Sequence, residues 1–255
     1  MLKMNLNGRE MVYERSGAGK ALVLVHGFPL DHSIWEPVVP LLSMKADVIM
    51  PDLRGFGEST VSSADYRLTD LAADLLAMLD ELKVERTAIA GHSMGGYVAL
   101  AFAHAYPQRT VGLGLVASQA RADTPERKAA RYEEAAQIQS NGVEEVANGM
   151  STKLTANAGL QAKMKELILR QSPQGLAQAL KGMAERSDAL PYLPEFEFPV
   201  AIVHGLADAL IPIERAREVR EKVKHGFLVE VEGVGHLPMI EAPNSTAGEL
   251  LKLVV

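Results

Sequence analysis

The stretch that decides the fold is TAIAGHSMGGYVALAFA, residues 87–103. Its first residues, Thr87–Ala90, form an apolar run typical of a buried strand, and the residues from Gly95 onward predict a helix. Between them the pentapeptide GHSMG matches G-x-S-x-G, in which glycines leave room for a sharp strand-to-helix turn. A serine there stands at a helix N-terminus, whose dipole favours negative charge. Ser93 is therefore a candidate nucleophile, and the alternative is a packing turn with an incidental serine.

Outside this stretch, most apolar runs are continuous rather than alternating, which is typical of strands covered on both faces of a parallel sheet. Helical patterns separate them, most clearly in residues 68–82, where leucines recur on one helix face. Alternating strands and helices predict a wound α/β sheet with right-handed crossovers. The further predicted strands are residues 21–25, 47–50, 111–116, 200–203 and 227–231.

Residues 121–195, which we call the cap segment, interrupt this alternation. They contain no strand-like run, and prolines and glycines divide them into about four predicted helices. We therefore predict a core made of residues 1–120 and 196–255, with the cap segment as an inserted helical cap.

Composition excludes several classes of function. The 255 residues carry a net charge of −6, so no basic surplus exists to bind a nucleic-acid backbone. There is no cysteine, which excludes a thiolate nucleophile and cysteine-ligated metals. We find no metal-binding or nucleotide-binding motif and expect no cofactor. The polar N-terminus and the absence of a long apolar run predict a soluble cytoplasmic protein without membrane contact. The sequence says nothing about oligomeric state.

A serine nucleophile needs a base and an acid that orients the base. His236 follows the last predicted strand in the loop GVGH, where a base can reach a neighbouring strand's nucleophile. Asp208 follows the strand of residues 200–203 and precedes His236, which gives the chain order Ser, Asp, His. Asp123 is the alternative acid, although it is also placed to cap a helix before Pro125.

Two backbone N–H groups are needed to bind the oxyanion of the reacting carbonyl. Met94, directly after the candidate nucleophile, is expected to supply one. Phe28, in the turn HGFP of residues 26–29, is expected to supply the other. The alternative is that this turn is an ordinary loop.

Taken together, these motifs resemble the α/β-hydrolase superfamily over essentially the whole chain. The resemblance implies an eight-stranded, mostly parallel sheet with a helical cap after the sixth strand. It also implies a triad of Ser93, Asp208 and His236, with amide donors at Phe28 and Met94. Small carboxylesterases and enol-lactonases are the most similar groups. The matching segments are HGFP at 26–29, DLRGFGES at 52–59, GHSMGG at 91–96, GLAD at 205–208 and GVGH at 233–236.

The expected activity is hydrolysis of a small-molecule carboxylic ester or lactone through an acyl-enzyme. Relatives that open epoxides or displace halides use an aspartate at the elbow, and Ser93 argues against both. Two alternatives stay open: hydrolysis of a carbon–carbon bond in a diketone-like substrate, and a ligand receptor that retains the hydrolase residues.

Trp35 and His92 are candidate pocket residues, with a buried packing residue and a fold-supporting hydrogen-bonding residue as the respective alternatives. The cap segment is poor in aromatic residues and contains Met150, Met164 and Met183, which predicts a deformable aliphatic pocket. We therefore expect a preference for small or medium apolar acyl groups. A preference for a charged substrate would direct attention to three arginines, Arg121, Arg131 and Arg170.

Overall fold

A computed structural model describes residues 1–254 and contains one eight-stranded sheet. The strands run in the order β1-β2-β4-β3-β5-β6-β7-β8 across the sheet. Strand β2 is antiparallel to both of its neighbours, and the remaining pairs are parallel, which confirms the predicted fold class. The strands are β1 (Leu2–Leu6), β2 (Arg9–Gly17), β3 (Lys20–Val25), β4 (Ala46–Pro51), β5 (Thr87–His92), β6 (Thr110–Val116), β7 (Val200–Gly205) and β8 (Gly226–Val231).

The first two strands were not predicted from apolar runs. They form a hairpin at the sheet edge, where β1 is mostly exposed and only part of β2 is buried. The turn between them is Asn7-Gly8, and both residues have positive φ, at 54° and 83°. Asn-Gly is the residue pair that a tight two-residue hairpin turn favours, so the signal was present in the turn rather than in the strands.

Ten α-helices surround the sheet within residues 1–254. Helix α2 begins one turn before Leu71, and Asp70 accepts a hydrogen bond from the Arg67 N–H at 2.7 Å, which caps the helix start. None of the helices in the described chain has the length and apolar content needed to cross a membrane. The helices are α1 (Val39–Leu42), α2 (Leu68–Glu81), α3 (Met94–Ala105), α4 (Pro125–Asn141), α5 (Glu144–Leu154), α6 (Ala158–Leu169), α7 (Pro173–Ala184), α8 (Glu214–Lys222), α9 (Pro238–Glu241) and α10 (Pro243–Leu251).

The cap segment forms helices α4 to α7 and a short 3-10 helix, all between β6 and β7. Side chains cap three of the four helices: Thr124, Asn157 and Ser172 each accept a hydrogen bond from a backbone N–H of the first turn. Pro125 and Pro173 occupy the first position of α4 and α7, where a proline costs no hydrogen bond. Local sequence therefore sets where these helices begin.

The sheet is covered on both faces by apolar side chains. Alternate residues of β3 lie in different core clusters, Val23 in one and Leu22 in the other, because successive strand residues point to opposite faces. Packing on both faces explains why the central strands read as continuous apolar runs. It also places the carboxyl ends of β5, β6 and β7 side by side at one edge of the sheet.

Candidate active site

Ser93 lies at the turn between β5 and α3 in a strained backbone conformation, with φ 50° and ψ −114°. The turn is closed so tightly that a Cβ on Gly91 would collide with Gly95, and a Cβ on Gly95 would collide with the carbonyl oxygens of Val25 and His26. The backbone of Ser93 is also fixed in place, because its N–H donates to the carbonyl oxygen of Val116 in β6 at 3.0 Å. Only glycine fits on both sides of this serine, which is what the motif predicted.

The side chains of His236 and Asp208 lie in contact at the same edge of the sheet. His236 Nδ1 is 2.7 Å from Asp208 Oδ2, and both side chains are 1% exposed. Asp208 Oδ1 accepts from the N–H groups of Leu210 and Ile211, at 2.8 and 3.0 Å, which fixes the carboxylate plane. Since a carboxylate only accepts, Nδ1 carries the hydrogen and the Nε2 lone pair of a neutral His236 is free to accept a proton.

Electrostatics keep Asp208 ionised. Burial alone would raise the pKa of its carboxyl, but the hydrogen bond and charge of His236 and the two backbone N–H donors outweigh burial and hold that pKa below its usual value. His204, whose Nε2 is 3.4 Å from Asp208 Oδ2, donates instead to the Ile211 carbonyl at 2.8 Å. Burial lowers the pKa of His204, so it is the neutral neighbour of this pair.

The backbone of His236 is held from two directions. Its N–H donates to the carbonyl of Leu154, the last residue of α5, at 2.9 Å. Its carbonyl oxygen accepts from His92 Nε2 at 2.8 Å. Burial, and then the nearby His236, lower the pKa of His92 well below its usual value, so His92 is neutral and donates through Nε2. The residue before the candidate nucleophile and the cap segment thus both position the candidate base.

The turn at residues 26–29 packs against this arrangement. A Cβ on Gly27 would overlap His92 Nδ1, so only glycine allows His92 to reach the His236 carbonyl. Phe28 lines the cavity next to Ser93. Among residues 1–254, neither the Phe28 nor the Met94 backbone N–H has a hydrogen-bond partner, so both are free to donate. Their role as an oxyanion hole stays a prediction.

A cavity of about 560 Å³ lies between the sheet edge and the cap segment, a volume in the range of small-molecule sites. Ser93 and Tyr97 line it from the sheet side. The expectation of an aliphatic pocket is wrong for much of this wall, because nine of its twenty-one residues carry polar or charged side chains. Those nine are Ser93, Gln119, Asp123, Arg127, Arg131, Glu134, Gln137, Glu145 and Lys153.

Neither candidate pocket residue lines this cavity. Trp35 is fully buried in the second core cluster, among residues such as Leu30 and Val38, because its short 3-10 helix packs against the sheet. His92 is buried below the turn, where it contacts His236 rather than open space. The structure therefore favours the packing role for Trp35 and the fold-supporting, hydrogen-bonding role for His92. Of the three predicted methionines, Met150 and Met183 line the cavity and Met164 packs in the core.

Asp123, the alternative acid, has other partners. Its carboxylate binds Arg131 and Arg186, and the Arg186 Nη2 contact is 2.7 Å. Burial would raise the pKa of Asp123, but the hydrogen bonds from Arg186 and Arg131 hold it below its usual value. No contact joins Asp123 to His236 in the described chain, whereas Asp208 touches it directly. Arg186 carries no motif, so the sequence offered no signal for this cluster.

One group of side chains has the composition of a metal site. Asp31, His32 and Asp52 bring three potential ligand atoms within 4.8 Å of one another. Each is already engaged: His32 Nδ1 is 2.7 Å from Asp52 Oδ1, and Asp31 accepts from the Ser33 hydroxyl and from Gln171. Burial would lower the pKa of His32, but the hydrogen bond to Asp52 raises it above its usual value. Because the side chains already contact one another and their protein neighbours, they are explained as an internal ion pair with its hydrogen bonds.

Three relatives place the chain among known proteins. An esterase from Thermogutta terrifontis, solved in a malate-bound form, superposes with a TM-score of 0.93 at 34% identity and covers 99% of this chain and 97% of that one. The dihydrolipoyllysine-residue acetyltransferase component of the acetoin cleaving system of Pseudomonas putida is 30% identical over 98% of this chain and 68% of its own length. The 3-oxoadipate enol-lactonase 1 of Acinetobacter baylyi is 27% identical, over 95% of this chain and 88% of its own length.

The family comparison agrees with these likenesses and with the resemblance first found in the motifs. A family model described as the alpha/beta hydrolase fold matches residues 20–243, which run from the start of β3 to the first residue of α10 and include the cap segment. The chain belongs to the α/β hydrolase family.

Proposed function

We propose that this protein hydrolyses carboxylic esters or lactones, with Ser93 as nucleophile, His236 as base and Asp208 as the acid that orients the base. The observation that carries the proposal is the hydrogen bond between His236 Nδ1 and Asp208 Oδ2, which leaves Nε2 as a free acceptor in the loop after β8, at the same edge of the sheet as Ser93. Buried histidine–aspartate pairs of this kind serve to activate a serine hydroxyl.

In the proposed reaction, Ser93 Oγ attacks the ester carbonyl while His236 Nε2 accepts the hydroxyl proton. The free N–H groups of Phe28 and Met94 stabilise the oxyanion, and Asp208 stabilises the imidazolium. His236 then protonates the departing alcohol, which leaves an acyl group on Ser93. A water molecule, deprotonated by His236, hydrolyses this acyl-enzyme and restores Ser93.

The relatives support this chemistry at the level of class. An esterase superposes on nearly the whole chain at 34% identity, and an enol-lactonase is similar over most of the sequence. Both names describe attack on an acyl carbon bonded to oxygen, the reaction that a serine elbow and a histidine base perform.

Acyl transfer is a second candidate, because the acetyltransferase component of Pseudomonas putida is 30% identical over 98% of this chain. The two reactions share the acyl-enzyme and differ in whether water or another acceptor takes the acyl group. Adding a thiol or alcohol acceptor to the assay, and identifying the products, separates them. Product analysis with a diketone-like substrate tests the carbon–carbon hydrolase alternative in the same way.

The decisive experiment combines labelling with turnover. A fluorophosphonate probe should label wild-type protein at Ser93, and Ser93→Ala should abolish both labelling and hydrolysis of p-nitrophenyl esters. Ser140→Ala, at an exposed position on α4, is the matched control and should keep both. Labelling that survives in Ser93→Ala would overturn the assignment. Labelling of Ser93 without turnover of any ester or lactone would favour the receptor alternative.

A further inference from the structure

A buried cluster with one more positive than negative charge borders the cavity, and two of its three residues, Asp123 and Arg131, line the wall. Asp123 is bound by two guanidinium groups, Arg131 through Nε at Oδ2 and Arg186 through Nη2 at Oδ1. The side chains of Arg131, Asp123 and Arg186 are only 9%, 4% and 6% exposed. A single carboxylate cannot neutralise two buried cations, so the cluster is not charge-balanced by its own members.

The two arginines differ in how many of their donors are used. Arg186 donates to the carbonyl of Arg121 at 3.2 and 3.0 Å and to the carbonyl of Met183 at 3.0 Å, and it stacks on the Tyr97 ring at 4.2 Å. Arg131 Nη1 meets only the Met183 sulfur, a weak acceptor, at 3.4 Å. Arg131 Nη2 has no partner among residues 1–254, and Arg131 lines the cavity.

Other charges on the wall do not supply the missing anion. Glu134 pairs with Arg127 at 2.7 Å, and both side chains are partly exposed to solvent. Glu145 and Lys153 are exposed at the mouth of the cavity, where solvent screens them. The buried part of the wall therefore keeps its surplus positive charge at Arg131.

The cluster shares its cavity with the candidate nucleophile. Tyr97, which supports Arg186, lies one turn after Ser93 on α3, a rise of roughly 6 Å along the helix. Apolar side chains of Ile138, Leu180 and Met183 line the same cavity and suit methylene groups. These residues suit a substrate with an ester group at one end, which would reach Ser93, a few methylene groups in the middle and an anionic group at the other end, which would reach Arg131.

The geometry points to a carboxylate-binding subsite at Arg131, through Nη1 and Nη2, so that the preferred substrates are esters or lactones that carry a second, ionised carboxyl group. This inference rests on the proposed function for the reacting group and adds the recognition of the remainder of the substrate. It replaces the expectation, based on the composition of the cap segment, that neutral apolar acyl groups are preferred.

The test compares esters that differ only in the distant group. Monomethyl glutarate carries the carboxylate on the acyl side and 3-butyryloxypropanoate carries it on the alcohol side, and each is paired with the corresponding neutral methyl ester or amide. Charge-assisted hydrogen bonds predict that wild type prefers at least one carboxylate substrate by about 10- to 100-fold in kcat/KM. If the acyl-side carboxylate is preferred, the acyl half of the substrate faces Arg131; if the alcohol-side carboxylate is preferred, the alcohol half does.

Arg131→Gln should abolish this preference, whereas Arg170→Gln should retain it. Arg170 is the matched control because it is exposed at the end of α6 and does not line the cavity. Arg131→Lys keeps the positive charge that Asp123 binds but loses the planar guanidinium fork. It is the second variant, to be used if Arg131→Gln proves unstable, and it should show a reduced preference for the carboxylate substrate. Equal kcat/KM for charged and neutral esters in wild type, or an unchanged preference in both Arg131 variants, would overturn the inference.

Binding measurements separate this inference from the proposed function. Calorimetry should show that monomethyl glutarate binds the Ser93→Ala protein about 10-fold or more tightly than its neutral amide, and that Arg131→Lys in that background reduces the difference. If no ester or lactone is hydrolysed, the proposed function fails, while this difference in binding still supports the subsite. If esters are hydrolysed and monomethyl glutarate binds no better than its amide, the subsite fails alone.

Discussion

Replacing Asp208 with asparagine tests the orientation of the candidate base with almost no change in shape. In wild type, Oδ1 accepts from two backbone N–H groups, those of Leu210 and Ile211, and Oδ2 accepts from His236 Nδ1. An asparagine must keep its single oxygen on the backbone donors, which turns its NH₂ group toward His236. The histidine then has to accept through Nδ1 and carry its hydrogen on Nε2.

That tautomer cannot take a proton from Ser93, because Nε2 no longer has a free lone pair. A histidine in the wrong tautomer costs serine hydrolases roughly 10⁴-fold in kcat. This factor corresponds to about 5.5 kcal/mol of transition-state stabilisation. Since the contact is buried and the asparagine is nearly isosteric, the loss should fall on kcat and leave KM within a few-fold.

The assay is steady-state hydrolysis of a p-nitrophenyl ester, with circular dichroism to show that the variant is folded. Asp80→Asn is the matched control: this aspartate lies exposed on α2 and pairs with Arg109 at 2.7 Å. It should retain wild-type kcat. A kcat for Asp208→Asn within tenfold of wild type would refute the argument, and Asp123 would be the next carboxylate to test.

Three further predictions concern the supports of the site. Gly96→Ala would place a Cβ against the Ser118 hydroxyl, which donates to the Ser93 carbonyl at 2.8 Å, and should lower the free energy of unfolding by about 1–3 kcal/mol in urea titrations; no loss would mean that the turn relaxes freely. His92→Phe removes the donor to the His236 carbonyl and should reduce kcat about 5- to 100-fold with little change in KM, whereas a change in KM alone would place His92 in substrate binding. Asp123→Asn should destabilise the protein at pH 7, because the arginines hold the folded-state pKa of this carboxyl below its unfolded value. Its stabilising effect is complete above the unfolded pKa, roughly 4, and is lost as pH falls through the folded pKa, so the difference in Tm between variant and wild type should shrink toward pH 3; a constant difference would contradict the ion pair.

The elbow and the class of fold could be predicted because they depend on local rules. Gly91 and Gly95 are required by the backbone of the turn itself, so the pattern around Ser93 carries its own structural context. The central strands are buried on both faces, and continuous apolar runs record that burial directly. The sequence also favoured Asp208 over Asp123 as partner of His236, because Asp208 follows a predicted strand and Asp123 is placed to cap the helix that begins at Pro125.

The lining of the cavity depended on tertiary structure. A helical pattern in the cap segment shows that residues form helices, but the packing of α4 against α7 decides which face meets the cavity. Trp35 was a pocket candidate because its place in the sequence resembles a family position near the pocket, but its neighbours bury it in the core.

What the sequence by itself determined is the class of fold, the central strands and the elbow, since each follows from short-range patterns of glycine and apolar residues. Only the tertiary structure brought Arg186, 63 residues away in the chain, to the same carboxylate as Arg131. The balance of charge in a cavity depends on distances of a few ångströms between groups from separate helices. The net charge of the cap segment, which is zero in the sequence, carried no information about the surplus positive charge of the buried cluster formed by Asp123, Arg131 and Arg186.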